Sequence, residues 1–155
     1  MKDGKVRDRL RLLLEGQSLG VLATCGRDDT HATLVAFAFS DDLHELFFAT
    51  SRGTRKFNAL LKNPRVALLV DDRSNELRDF HDASVATAHG RASEVDAARR
   101  DALRRLYLQK HPYLEDFVRA PSCALVSIAV ESYDLVSNFQ EVHVLQIRDG
   151  LDSPG

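Results

Sequence analysis

Apolar positions change period several times along the chain, and each change marks an element. Between residues 6 and 15, Val6, Leu10, Leu13 and Leu14 share one helical face, while Lys5, Arg7, Arg9 and Arg11 fall mostly elsewhere. Gly16 ends that helix. Residues 19–23 are apolar and read as a strand, and Cys25 to Asp29 carries turn chemistry. In residues 31–40, Val35, Phe37 and Phe39 alternate with Leu34, Ala36 and Ala38. Both faces of this strand are apolar, so both are expected to be covered, one by a barrel interior and the other by a subunit contact. A hairpin loop at 41–45 leads into a strand at 46–50.

The second half repeats this alternation of strand and helix. Phe57, Leu60 and Leu61 form the apolar face of a short helix that stops at Asn63-Pro64. A strand follows at 65–70, then a polar loop at 71–82 that lacks clear periodicity and has the length of functional loops. The strand within 83–95 contains Gly90, which suggests a bulge or bend. Asp96 is placed to cap the next helix, whose stripe is Leu103, Leu106 and Tyr107 and whose solvated side is Arg99, Arg100, Arg104 and Arg105. His111-Pro112 breaks it. A short helical stretch at 114–118, a long β-prone run at 124–136, a last strand at 142–147 and a frayed tail at 149–155 complete the pattern. Six or seven strands with three helices predict an α+β domain, an antiparallel barrel with helices at its ends, spanning residues 1–155 as one unit.

The stretch from Leu46 to Pro64 stands out for its charge. It reads as strand, tight loop and helix start, with Thr54 as the N-cap. Arg52, Arg55 and Lys56 crowd a helix end that already bears positive dipole, and no Asp or Glu occurs from Leu46 through Val70. A bound anion resolves this arrangement. First-turn amides, the hydroxyls of Thr50, Ser51 and Thr54, and the cations suit a phosphate, with Gly53 permitting close backbone approach. The alternative is a solvated basic turn neutralised by a carboxylate that the fold brings in from elsewhere.

Composition narrows the function classes. The chain has 155 residues, 44% hydrophobic and 28% charged, with a net charge of −2, which argues against a general nucleic-acid binder. Two widely separated cysteines, Cys25 and Cys123, form no metal-spaced pair and fit reduced thiols. The first residues carry no apolar signal region and no apolar run approaches membrane-spanning length, so a cytoplasmic protein without membrane attachment is expected. The six histidines show no paired metal spacing, and neither a nucleophile elbow nor a glycine-rich dinucleotide fingerprint occurs.

Thr50-Ser51 after an apolar strand, then Thr54-Arg55-Lys56, Leu60 and Asn63-Pro64-Arg65-Val66, resembles the FMN-binding split β-barrel family, which includes pyridoxamine 5′-phosphate oxidase and its relatives. The step Gly90-Arg91-Ala92 and the order of elements extend the resemblance across nearly the whole chain. The resemblance implies a six- to seven-stranded split barrel and FMN held at its phosphate by Thr50, Ser51, Thr54, Arg55 and Lys56, with Ala49 beside them. It also implies a flavin ring edge bonded by the backbone of Thr33, Leu34 and Val35, and a homodimer with the flavin in a cleft between subunits. Phe80 and His81, in the polar loop, would then reach towards the partner's flavin.

The chain departs from true pyridoxamine 5′-phosphate oxidase. It lacks Trp altogether, has no Arg-rich ending, and carries Ala49 where that enzyme has a larger aromatic side chain. The expectation is therefore an FMN-dependent oxidoreductase of this class, acting on a small-molecule substrate or reductant, with no metal. Three alternatives stay open. One is a haem-binding or haem-processing relative with His143 as the iron ligand, another is a non-enzymatic stress or regulatory module that binds flavin, and the third is a deazaflavin in place of FMN.

Overall fold

In the computed structural model, which describes residues 2–138 and 140–147, the chain begins with α1 (Asp3–Gly16) and a meander of β1 (Leu19–Cys25), β2 (Thr30–Phe39) and β3 (Glu45–Ser51). It continues through α2 (Arg55–Lys62), β4 (Arg65–Asp71), the single turn α3 (Asp79–Asp82) and β5 (Val85–Glu94). Then come α4 (Ala97–Lys110), a 3-10 turn (Pro112–Leu114), α5 (Glu115–Arg119), β6 (Cys123–Ser137) and β7 (Glu141–Gln146). The predicted tail at 149–155 lies outside the described residues.

All strand pairs are antiparallel, in the order β3-β2-β1-β4-β5-β6-β7, and β3 also pairs with β6. That extra pairing closes six strands into a barrel and leaves β7 as an added strand. The 15-residue β6 makes closure possible. Its first half, from Cys123 to Ala129, pairs with β3, and its second half, from Ser132 to Ser137, pairs with β7. On its other edge β5 pairs with it from Val126 to Val136, with a register shift at His89/Gly90. Gly90 is required there, because a Cβ would run into the carbonyl oxygen of Ala129.

Two apolar clusters follow from the alternation of strand side chains. The barrel interior gathers Phe37, Phe48, Leu22, Leu68, Val126 and Tyr133 and is plugged by Leu10 and Leu14 of α1 and Phe57 and Leu60 of α2. A second cluster lies on the outer face of β2, β3 and β6. There Ala38, Phe47, Ala49 and Leu125 pack against Leu103 and Tyr107 of α4 and Val118 of α5. The doubly apolar β2 is thus covered on its second face partly by the chain's own α4.

Some expectations shift in detail. Leu61 is exposed, because on α2 it lies a further 100° round from Leu60 and beyond the barrel rim. Leu106 sits at the edge of the α4 stripe and stays partly exposed. Asp96 occupies the N-cap position of α4, yet its side chain makes no capping hydrogen bond. The loop expected at 71–82 carries the α3 turn, stabilised by Asp79, whose carboxylate accepts from the amides of Ser74 and Asn75. Among the described residues, no helix is long and apolar enough to cross a membrane.

Candidate functional site

The turn between β3 and α2 is built from its own hydroxyls. Thr54 caps α2, its oxygen accepting from the Phe57 amide at 3.3 Å. The Thr54 hydroxyl donates to the Ser51 carbonyl at 2.9 Å, which leaves its oxygen free to accept from the Thr50 hydroxyl, also at 2.9 Å. Thr50 is only 2% exposed, so this chain of bonds is anchored in the barrel wall. By helix geometry the amides of Arg55 and Lys56, first in α2, have no partner within the helix. Together with the Ser51 hydroxyl they are donors available to an anion.

The three cations of the turn separate. Arg52 turns away to β5, where its guanidinium lies 2.7 Å from one Glu94 oxygen and 2.8 Å from the other. That pairing holds the Glu94 carboxyl below the usual carboxylate range, the hydrogen bond from Arg52 being the main cause and partial burial opposing it. Arg52 thus has its counter-charge from within the fold, 42 residues away in sequence. Arg55 is exposed at the first position of α2, and Lys56 points into a cavity of about 310 Å³.

That cavity sits where the barrel splits. β2 pairs with β3 only from Phe37 to Phe39, although it stays paired with β1 as far as Thr30. From Thr30 to Ala36 its second edge therefore lacks a neighbouring strand. Leu34, Val35 and Ala36 of this edge form one wall of the cavity. Ala49, Thr50, Ser51 and Thr54 form the facing wall, and Tyr107, Leu114 and Phe117 from the α4–α5 region form the back. Seven of the nine residues singled out in the sequence meet here. Thr33 and Arg55 do not line the cavity. Thr33 shares the inner face of β2 with Val35, and its hydroxyl is buried without a partner. Tyr107, Leu114 and Phe117 are additions. Tyr107 is legible in sequence only as part of an apolar stripe, and nothing there ties Leu114 or Phe117 to the turn.

The geometry of the site suits a flavin phosphate. It offers available amides, an uncommitted hydroxyl and a cation at one end, and an unpaired strand edge with apolar walls at the other. It is poor in groups that move protons. Burial pushes the Tyr107 hydroxyl up to about 12 and also raises the Cys123 thiol, which stands opposite Ser51 on β6. Both are protonated at neutral pH.

No histidine lines the cavity. His31 sits 3.2 Å from Asp29, and His89 sits 2.9 Å from Asp134. His81 belongs to α3. His143, on β7, has a buried Nε2 without a hydrogen-bond partner, 3.9 Å from the nearest Glu141 oxygen. Among the described residues, no group of three or more His, Cys, Asp or Glu side chains is arranged to hold a metal ion.

Known proteins place this architecture. It is similar to a haem-binding protein from Mycobacterium smegmatis, with a TM-score of 0.80 at 16% identity, over 90% of this chain and 57% of that one. It is similar to General Stress Protein 26 from Bacillus anthracis, with a TM-score of 0.65 at 22% identity, over 92% of this chain and 98% of that one. A FAD-binding protein from Mesorhizobium loti gives a TM-score of 0.66 at 15% identity, over 82% and 91%. At these identities the likeness is one of fold, and the chain spans little more than half the length of the mycobacterial protein. None of the curated proteins is similar enough in sequence to match. The pyridoxamine 5′-phosphate oxidase family model matches residues 6–137, which include all six strands of the barrel and leave out the added strand β7, and the chain belongs to that family.

Proposed function

We propose that this protein is an FMN-binding oxidoreductase, with the phosphate at the start of α2 and the flavin ring along the unpaired edge of β2. The observation that carries this reading is that the anion-binding turn and the free strand edge open on one cavity. Lys56, Arg55, the Ser51 hydroxyl and the first-turn amides hold the phosphate. The Thr50 hydroxyl joins them by turning from Thr54 to the phosphate. Backbone groups of Leu34 and its neighbours orient the ring, and Ala36 and Ala49 leave space beside it.

Bound FMN supplies the hydride or electron transfer. The chain's part is to bind and orient, because Tyr107 and Cys123 are held protonated by burial and give no acid–base pair at neutral pH. This favours a reaction that needs little proton management from side chains, with a small reductant such as a reduced nicotinamide as donor. The outer face of the barrel beside the cavity carries an apolar row, Leu34–Val21–Leu69, read straight across β2, β1 and β4. Leu34 is 66% exposed. A second copy of the chain laid on this row covers it and completes the flavin cleft, so the active form is a homodimer.

The test is to titrate apo-protein with FMN and follow the visible spectrum, then to offer reductants anaerobically. Flavin bands near the blue and near ultraviolet, bleached by a reduced nicotinamide, are the expected result. Failure to bind FMN overturns the reading. A Soret band with added haem moves the assignment to His143 and iron, and FMN binding without bleaching by any physiological reductant moves it to a regulatory flavoprotein.

A further inference from the structure

The β2–β3 ladder stops before either strand ends. Its register pairs Phe37 with Phe48, so the next rung would set Ala36 opposite Ala49. Both strands continue past that point, β2 along β1 and β3 along β6, and a direct rung is missing between them. The Tyr107 hydroxyl occupies the gap. It donates to the Ala36 carbonyl at 2.8 Å, and the Ala49 amide, on the facing strand, works against the rise that burial gives the phenol. One turn further along α4, His111 Nε2 meets the Phe37 carbonyl at 2.7 Å. Tyr107 and His111 are 1% and 2% exposed, and their rings touch at 5.0 Å between centroids. Burial keeps the tyrosine protonated and holds the His111 imidazole below its usual range, so both act as neutral donors.

A buried carbonyl left unpaired is costly, and a hydroxyl that satisfies it from outside the sheet removes part of the incentive for the strands to close. Ala36 lies on the wall assigned to the ring, and Ala49 adjoins the turn assigned to the phosphate. The phenol therefore stands between those two walls, bonded to the Ala36 side.

We propose that Tyr107 is a positioning residue for the flavin ring, its hydroxyl wedging β2 from β3 at the split and holding the free strand edge where its backbone meets the ring. This rests on the flavin reading above. The role is separable from phosphate binding, because Tyr107 acts through Ala36 and Ala49 and not through the anion. A residue that acts on the ring shifts the affinities of riboflavin and FMN by the same factor, whereas a phosphate ligand shifts only FMN.

The experiment compares wild type with Tyr107→Phe, which keeps the ring volume in the packed cluster and removes only the hydroxyl. Affinities for riboflavin and for FMN are measured by fluorescence titration, and exchange of the Ala49 amide in the apo-protein is measured by NMR. Expected are equal losses for the two flavins, between about threefold and tenfold, and faster exchange at Ala49. A loss confined to FMN overturns the proposal by making Tyr107 a phosphate contact. Unchanged affinities, or unchanged exchange at Ala49, also overturn it. If wild type binds neither flavin, the flavin reading falls and takes this role with it; if wild type binds both and the variant matches it, only the role of Tyr107 falls.

Discussion

Arg52 and Glu94 meet across the mouth of the barrel, guanidinium to carboxylate at 2.7 Å, and this contact divides the basic turn into one structural and two available cations. Arg52 is committed to β5, while Arg55 and Lys56 start α2 without acidic partners on that helix turn. Arg52→Ala is expected to leave FMN affinity close to that of wild type. Arg55→Ala and Lys56→Ala should each weaken FMN about tenfold or more, a charge-assisted hydrogen bond being worth about 1.5–3 kcal/mol. Riboflavin, which has no phosphate, should bind all three variants alike. Titration of the three apo-proteins with both flavins checks this, and an Arg52 loss as large as that of Lys56 would refute the division.

What the sequence made legible was local. The Thr54 cap, the stop at Asn63-Pro64 and the bulge at Gly90 all follow from short-range rules, and each occurs as expected. The fate of Arg52 was not legible, because its partner lies on another strand and only barrel closure brings them together. Tyr107 shows the same limit from the other side. Its spacing from Leu103 marks a buried helical position, but the hydroxyl's task depends on where two distant strands part company. Leu61 and Leu106 failed as core residues because helical periodicity fixes a face without fixing its width.

The apolar row on the outer sheet face gives a test of assembly. Leu19 is exposed on β1, on the same face as Val21, and does not line the cavity. Leu19→Glu adds a charge to that face without touching the barrel interior. The expected outcome is a dimer mass for wild type and a monomer mass for the variant by light scattering at micromolar concentration, with a thermal midpoint measured on the variant to confirm that it remains folded. Equal masses for the two proteins would remove the proposed interface from this face.

Gly90 offers a test of closure. An added Cβ there meets the Ala129 carbonyl, which is backbone and cannot rotate aside. Gly90→Ala should therefore force β5 from β6 and cost about 1–3 kcal/mol, the range for overpacking in a tight interior. Urea unfolding of variant and wild type measures it; an unchanged midpoint would mean that the bulge can relax.

Lys110 makes stability depend on pH in an unusual direction. Its ammonium group lies 3.8 Å from the centroid of the Phe37 ring and donates to the Leu14 carbonyl at 2.9 Å, tying the end of α4 to the end of α1. Burial is the main influence on its titration and pulls it from 10.5 to about 8, with Glu15 opposing. Between those two values the unfolded chain holds a proton that the folded chain has released. Stability from this group therefore rises as pH climbs from about 8 towards 10.5, and the penalty for the buried charge is fully present below pH 8. Lys110→Met removes the titration while filling similar space. The difference in unfolding free energy, wild type minus variant, should increase between pH 7.5 and 10 when both are measured by urea denaturation at matched ionic strength. A difference that stays flat across that range would show that the ammonium remains solvated enough to titrate as an ordinary lysine, and a difference that falls would show that the Phe37 and Leu14 contacts outweigh its burial.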